Sequence, residues 1–205
     1  MTLRIFAILV LALWTAGAAG AVELAGTVTR VKGDATARQD GEAPRPLGEG
    51  SAIFVGDAVT TGIATRLEIR LTDDAVVILG DRVVLVVDHY VYAPGRGRGV
   101  LSLFTGVFKA ASGGLAQIAG APFRINTPAG TIGIRGTEFW GEQRADRLLV
   151  ALLSGKGVFV RNPAGRVDIA RPGFATRVPA PGQPPTPPFQ LSPAELQRAL
   201  GTVDF

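Results

Sequence analysis

Few side chains in this 205-residue chain have the chemistry of catalysis or metal binding. It has no cysteine and a single histidine, His89. Thiol nucleophiles, disulfides and metal sites built on thiolates or paired histidines are therefore excluded. Asp88-His89 has no Gly-x-Ser-x-Gly elbow to serve, and beside Tyr90 and Tyr92 it reads as part of a strand or its end. The neighbouring carboxylates Asp73-Asp74 would point to opposite faces of an extended strand, so they read as a solvated turn. A calcium site would need both of them and Asp81 to converge their hard oxygens. The glycine run Gly130-Thr-Ile-Gly133-Ile-Arg-Gly136 has the spacing of a phosphate nest. It lacks a lysine at P-loop spacing and a helix pattern after it, so it reads as a strand that admits close backbone packing or a bulge. Arg135, inside that run, is expected to pair with Glu138 or a nearby acid, or instead to meet a partner. No cofactor and no metal are expected.

The elements that would position these residues come from composition and pattern. Hydrophobic residues make up 47% of the chain and charged residues 19%, which argues against a disordered polypeptide. The formal charge is +4, and 18 of the 21 basic residues are arginines scattered among acids, as in Arg66-Leu-Glu-Ile-Arg70. A nucleic-acid footprint needs clustered positive charge, so no nucleic-acid partner is expected. Gly95-Arg-Gly-Arg-Gly99 reads as a solvated connector. At the N-terminus, Arg4, the apolar run Ile5–Trp14 and the small residues to Ala21 form the pattern of a secretory signal. The run is too short for a bilayer core of about 30 Å. Residues 1–21 are expected to be cleaved, which leaves a periplasmic or secreted chain from Val22 without a transmembrane segment.

From 22 to 178 the chain reads as short strands separated by turn signals, and no stretch keeps a helical period. Arg66–Leu71 alternates strictly, with Leu67, Ile69 and Leu71 on one face. Further strands are expected at 26–31, 34–37, 58–60, 75–79, 83–87, 100–104, 107–111, 123–126, 131–134, 137–140, 148–153, 158–161, 167–169 and 174–178. A phrase of apolar strand, glycine and second apolar strand recurs around Gly33, Gly106 and Gly155. Its copies are unevenly spaced, so they fit either coils of an irregular β-solenoid or hairpins of a β-sandwich. The fold class is all-β.

Three ordered passages resemble the FecR domain, the periplasmic portion of regulators of iron-siderophore uptake. The first is Gly26-Thr-Val-Thr-Arg-Val-Lys-Gly33. The second is Leu47, then Val55-Gly56-Asp57-Ala-Val-Thr-Thr61-Gly62, the strand to Leu71 and Asp73-Asp74. The third runs from Phe123 to Pro128 and on through Gly133-Ile-Arg135-Gly136-Thr137-Glu-Phe139, followed by Ser154-Gly155-Lys-Gly157. The resemblance covers about residues 26–178. It implies an irregular, twisted, solenoid-like all-β domain without enzyme activity, in which Gly33, Gly56, Asp57, Thr61, Gly62, Gly133, Arg135, Gly136, Thr137, Phe139 and Gly155 are structural motif positions. From the residues themselves, Gly56-Asp57 suits a tight turn in which the carboxylate bonds local backbone.

Residues 179–191 read as a proline-rich linker, with six prolines in Pro179–Pro188. Residues 192–205 hold a short helix and tail: Ser192 is the N-cap, Pro193 the first helical residue, Glu195 completes a capping box, and Leu191 with Leu196 form the staple. The apolar face of Leu196, Ala199 and Leu200 requires a surface, on the β-domain or on a partner. Taken together, the expectation is a non-enzymatic exported module that binds a protein or glycan partner in the envelope, in a signalling role. The alternative is an assembly protein that associates with itself through β-edges.

Overall fold

A computed structural model describes residues 22–120, 122–134 and 136–205. The expected signal segment and Arg135 lie outside the described residues.

The strands form two ladders, and the chain passes back and forth between them. Ladder one runs in the order β4 (Ala52–Phe54), β1 (Leu24–Lys32), β6 (Arg66–Leu71), β7 (Val76–Leu79), the C-terminal part of β9 (Arg96–Ala111), β12 (Thr137–Arg144), β13 (Arg147–Gly155), β16 (Phe174–Val178) and β17 (Phe189–Gln190). Ladder two runs β3 (Arg45–Pro46), β2 (Ala35–Arg38), β5 (Ala58–Thr61), β8 (Val84–Ala93), the N-terminal part of β9, β10 (Phe123–Thr127), β11 (Gly130–Ile134), β14 (Val158–Asn162) and β15 (Gly165–Ile169). Among the described residues every pairing is antiparallel except β9 with β10. The long β9 belongs to both ladders and joins them: Thr105 pairs with Val84 in ladder two, and Gly106 pairs with Gln143 in ladder one. Among the described residues neither ladder closes on itself.

Strand alternation explains the core. One face of each ladder contributes to a single apolar cluster, with Val28, Leu67, Ile69, Val77, Leu79, Phe139 and Val150 from ladder one. Val59, Leu85, Val87, Leu101, Ile125, Ile132 and Val160 come from ladder two. Phe108 and Phe139 meet edge to face at 5.7 Å between ring centroids, the geometry their quadrupoles favour.

Part of the outer face of ladder one, from β7 to β16, is apolar as well. Ile78, Val107, Trp140, Ala151 and Ala175 form a second cluster under the C-terminal tail, which contributes Leu191, Ala199 and Val203 with Phe189, Leu196 and Phe205 packed against them. The helix α1 (Pro193–Gly201) has the expected capping box: Ser192 Oγ accepts from Glu195 N–H, and Ser192 N–H donates to the Glu195 carboxylate. This helix docks on its own β-domain through Leu196 and Ala199. Trp140 Nε1 donates to Thr202 Oγ1 at 3.1 Å, and Arg66 caps the helix end through the carbonyls of Gly201 and Asp204.

Several expectations change in the structure. Gly97–Gly99 is not a solvated connector: it pairs with Tyr90–Tyr92 as the start of β9, and the turn is confined to the residues around Pro94-Gly95. The proline-rich segment is fastened to the sheet, with Pro185 buried. Thr186 N–H donates to the Arg177 carbonyl at 2.9 Å, Thr176 Oγ1 donates to the Thr186 carbonyl, and Asn162 Nδ2 donates to the Gln183 carbonyl. Asp74 is the exposed turn residue, at φ +65°, but Asp73 is 2% exposed. Strands β3, β4 and β17 are two or three residues long and carry too little pattern to be read in advance.

Candidate functional site

The three glycine phrases are crossings between ladders, not hairpins. Gly33 lies between β1 and β2, Gly106 is the bend of β9, and Gly155 ends β13 before β14, so each marks the passage from one ladder to the other. Their φ angles are +84°, +104° and +97°, in the region where a Cβ is disfavoured. Neighbouring crossings also press close. A Cβ on Gly33 would lie 2.6 Å from Thr65 Oγ1, and one on Gly106 would lie 2.5 Å from Val83 Cγ2.

Buried threonines stitch these crossings. Thr61 Oγ1 donates to the Gly80 carbonyl at 2.7 Å and accepts from Val83 N–H at 2.8 Å, while Gly62 N–H donates to the Asp34 carbonyl. Thr137 Oγ1 donates to the Gly157 carbonyl at 2.7 Å and accepts from Gly157 N–H at 3.1 Å; Lys156 N–H donates to the Gly136 carbonyl. Thus Gly33, Thr61 and Gly62 belong to one seam, and Gly136, Thr137 and Gly155 to another. Each threonine meets a donor and an acceptor of a backbone that no regular ladder satisfies there. Phe139 lies in the core. Gly133 is where the Phe159 ring lies against the strand, in the space a Cβ would occupy.

Two buried carboxylates tie down turns. Asp57, with Gly56 at φ +90° before it, accepts from Phe54 N–H at 2.8 Å, as the turn reading expects. It also accepts from Gln39 Nε2 at 2.9 Å and pairs with Arg45. Asp73 accepts from Tyr90 Oη at 2.6 Å, Ala75 N–H at 3.0 Å and Leu115 N–H at 2.9 Å, which joins the β6–β7 turn to β8 and to the 3-10 turn at Gly114–Gln117. Burial raises the Tyr90 phenol far above its ordinary range, and the hydrogen bond to Asp73 and its charge add to that. The Asp73–Tyr90 pairing escaped the sequence reading because its partners lie 17 and 42 residues away.

Asp88 sits at a register shift in β8, where it accepts from Ser102 Oγ at 2.7 Å, and the half-buried His89 pairs with Val100 in the ladder. Around the Gly133–Glu138 stretch lie two open clefts that share Ala116. One, of about 440 Å³, is lined by Ile118, Phe123, Arg124, Ile134, Lys156 and Phe159. The other, of about 490 Å³, is lined by Ser112, Gln117, Gly136, Thr137, Glu138 and Ser154. Arg124, Lys156 and Phe159 were not singled out by spacing, because they reach the cleft from three separate strands or their ends. A further cleft of about 540 Å³ gathers Arg144, Arg147 and Arg177 around Glu142.

No curated protein matches the chain significantly. Two crystal structures, at 2.50 and 1.65 Å resolution, of a candidate anti-sigma factor from Parabacteroides distasonis ATCC 8503 share the fold. Each has a TM-score of 0.54 at 15% identity and covers 69% of this chain. The chain spans 62% of the length of the first and 63% of the second. Residues 57–156 match the family model described as FecR protein, and that span contains the Asp57 turn, the Thr61 seam, β9 and the Thr137 seam. Over those 100 residues the chain is similar to the FecR family.

Proposed function

We propose that this protein is a non-catalytic regulatory module of the cell envelope, exported by residues 1–21, that works by presenting a surface to a protein or glycan partner. One observation carries the reading: the polar residues of the motif are engaged in holding the chain to itself. Asp57, Thr61 and Thr137 are buried, and their hydrogen bonds go to turns and crossings. The domain's distinctive residues therefore build a shape, and recognition falls to what that shape exposes. The match to the FecR family and the likeness to a candidate anti-sigma factor support a regulatory role. The clefts flanking Gly133–Glu138 are the favoured contact surface, since they combine apolar walls with Arg124 and Lys156.

Site-specific photo-crosslinking in living cells tests this. A benzophenone side chain at Ile118 is expected to yield a discrete adduct, and one at Arg198 on the docked helix is expected to yield none. The absence of an adduct from Ile118 and from Phe104, on the uncovered face, overturns the proposal. N-terminal sequencing of the envelope-associated protein is expected to begin at Val22; a retained Met1 overturns the export part.

A further inference from the structure

Beside the tail, the outer face of ladder one carries a group of arginines. Cross-strand register puts Glu142 of β12, Leu149 of β13 and Arg177 of β16 in one row. Side chains two residues apart along a strand share its face. Arg144 and Arg147, opposite each other at the end of the β12–β13 hairpin, therefore form the next row with Pro179, which follows β16. Both rows line the open cleft of about 540 Å³, with Leu148 at its side. Leu149 also packs against the cluster beneath the tail, so the cleft borders the covered part of the face.

The acids nearby leave two of these arginines uncompensated. Glu142 accepts from Arg144 Nε at 2.6 Å, and their charges offset each other. Asp146, in the hairpin turn, does not line the cleft, and Glu195 is engaged at the helix cap with Ser192. Arg147 and Arg177 form no ion pair among the described residues. They sit diagonally on neighbouring strands, a relation that sets side-chain origins about 7–8 Å apart, so both guanidinium groups can reach one anion between them. Arg177 is steadied in place, with its guanidinium 5.3 Å from the centroid of the Phe189 ring. It therefore gives up less freedom when a ligand binds.

We propose that this cleft binds a phosphate monoester, on a sugar or on a lipid headgroup, between Arg147 and Arg177. A monoester carries a charge of about −1.5 to −2 at pH 7, which matches two unpaired guanidinium groups; a diester or a carboxylate carries a single charge. Its terminal oxygens accept hydrogen bonds from the planar fork of an arginine two at a time. Leu149 and Pro179 give the rest of the ligand an apolar wall, and such walls concentrate the field of the arginines. Arg144, already tied to Glu142, contributes less.

Titration calorimetry of the full chain with glucose 6-phosphate, and flotation with phosphatidylcholine vesicles that contain phosphatidic acid, test the two sources of the group. Saturable binding of the sugar phosphate assigns a sugar-borne group, and binding of the vesicles alone assigns a lipid-borne one; either supports the site. Arg147→Gln and Arg177→Gln are each expected to weaken that binding by roughly tenfold. Arg161→Gln, at an exposed arginine of ladder two, is expected to leave it unchanged. Glucuronate in place of the sugar phosphate, and the diester phosphatidylglycerol at matched vesicle charge, are expected to bind more weakly. Binding of neither probe, a bound probe no tighter than its control, or binding that survives loss of both arginines overturns the proposal. This cleft is separate from those beside Gly133–Glu138, so the crosslinking result neither supports nor removes it.

Discussion

The outer faces of the two ladders differ, and the difference lies in who covers them. On ladder one, Ile78, Val107, Trp140, Ala151 and Ala175 are each at most 9% exposed, because residues 189–205 fold over them. On ladder two, Thr60, Asp88, Phe104, Arg124 and Arg161 face solvent, with Phe104 51% exposed. The middle of ladder one, from β7 to β16, is buried on both sides like the middle layer of a larger protein; ladder two has one wet face, the common state of an antiparallel sheet. The strand sequences carry the contrast. Val76–Leu79 and Leu148–Leu153 are continuous apolar runs, as strands buried on both faces are, while Arg166-Val-Asp-Ile169 alternates. The tail thus closes the middle of one ladder's outer face, while the outer face of ladder two is left to solvent.

The sharpest way to break the comparison is a truncation beneath the tail. Trp140→Ala removes the largest side chain beneath the tail and its bond to Thr202, and is expected to destabilise the protein by about 3–5 kcal/mol in urea unfolding. If the tail were an accessory, the loss would be far smaller. Next come the seams that join the ladders. Thr137→Val keeps the shape but strands the backbone N–H and C=O of Gly157, for an expected loss of about 2–3 kcal/mol by the same measurement. An unchanged midpoint would mean that water or a rearranged crossing takes over both groups.

The Tyr90–Asp73 pair gives a pH signature. The folded state raises the phenol pKa, so the neutral form is favoured on folding. That stability is fully present below the unfolded value near 10 and is lost as pH rises above it. Stability is expected to fall by up to about 1.4 kcal/mol per pH unit from roughly pH 10 upward. Tyr90→Phe is expected to lose about 1–2 kcal/mol at neutral pH and to flatten that alkaline slope; an equal slope in both proteins would assign it to other groups.

Smaller effects sharpen the picture at the tail. Ser192→Ala is expected to cost about 1 kcal/mol through the helix cap. Glu195 is held below its usual range mainly by the Ser192 hydroxyl, so its contribution is present above the unfolded carboxylate pKa and fades as pH falls through the lowered one. Thermal melts of the variant at neutral and acid pH are expected to converge toward the parent on the acid side. The smallest change belongs to the uncovered face. Phe104→Ser is expected to shift stability by no more than about 0.5 kcal/mol, against the several expected for Trp140.

Local signals were legible wherever one element carried its own evidence. The alternation at Arg66–Leu71 and the β-branched and apolar run at Phe174–Val178 appear as strands with those bounds. Ser192-Pro-Ala-Glu195 appears as the capped start of α1. The short bond from Asp57 to the Phe54 amide was also readable, since it spans three residues. What escaped depends on distant partners. Gly97 and Gly99 look like a connector until Leu115, Phe123 and Tyr90 are seen to fill the space beside them. Asp73 looks solvated until Tyr90 and the Leu115 amide close over it. The prolines of 179–188 look like a spacer until Thr176 and Arg177 are found gripping Thr186.

By itself, the amino-acid order determined that this chain makes short β-segments separated by glycine, ends in a capped helix and has no thiol chemistry, because propensity, alternation and capping act within a few residues. Tertiary structure alone decided that the recurring glycines carry the chain from one ladder to the other and that the tail seals one outer face. Those outcomes depend on which apolar faces and backbone groups find each other across tens of residues, and burial and hydrogen-bond satisfaction are properties of the assembled packing.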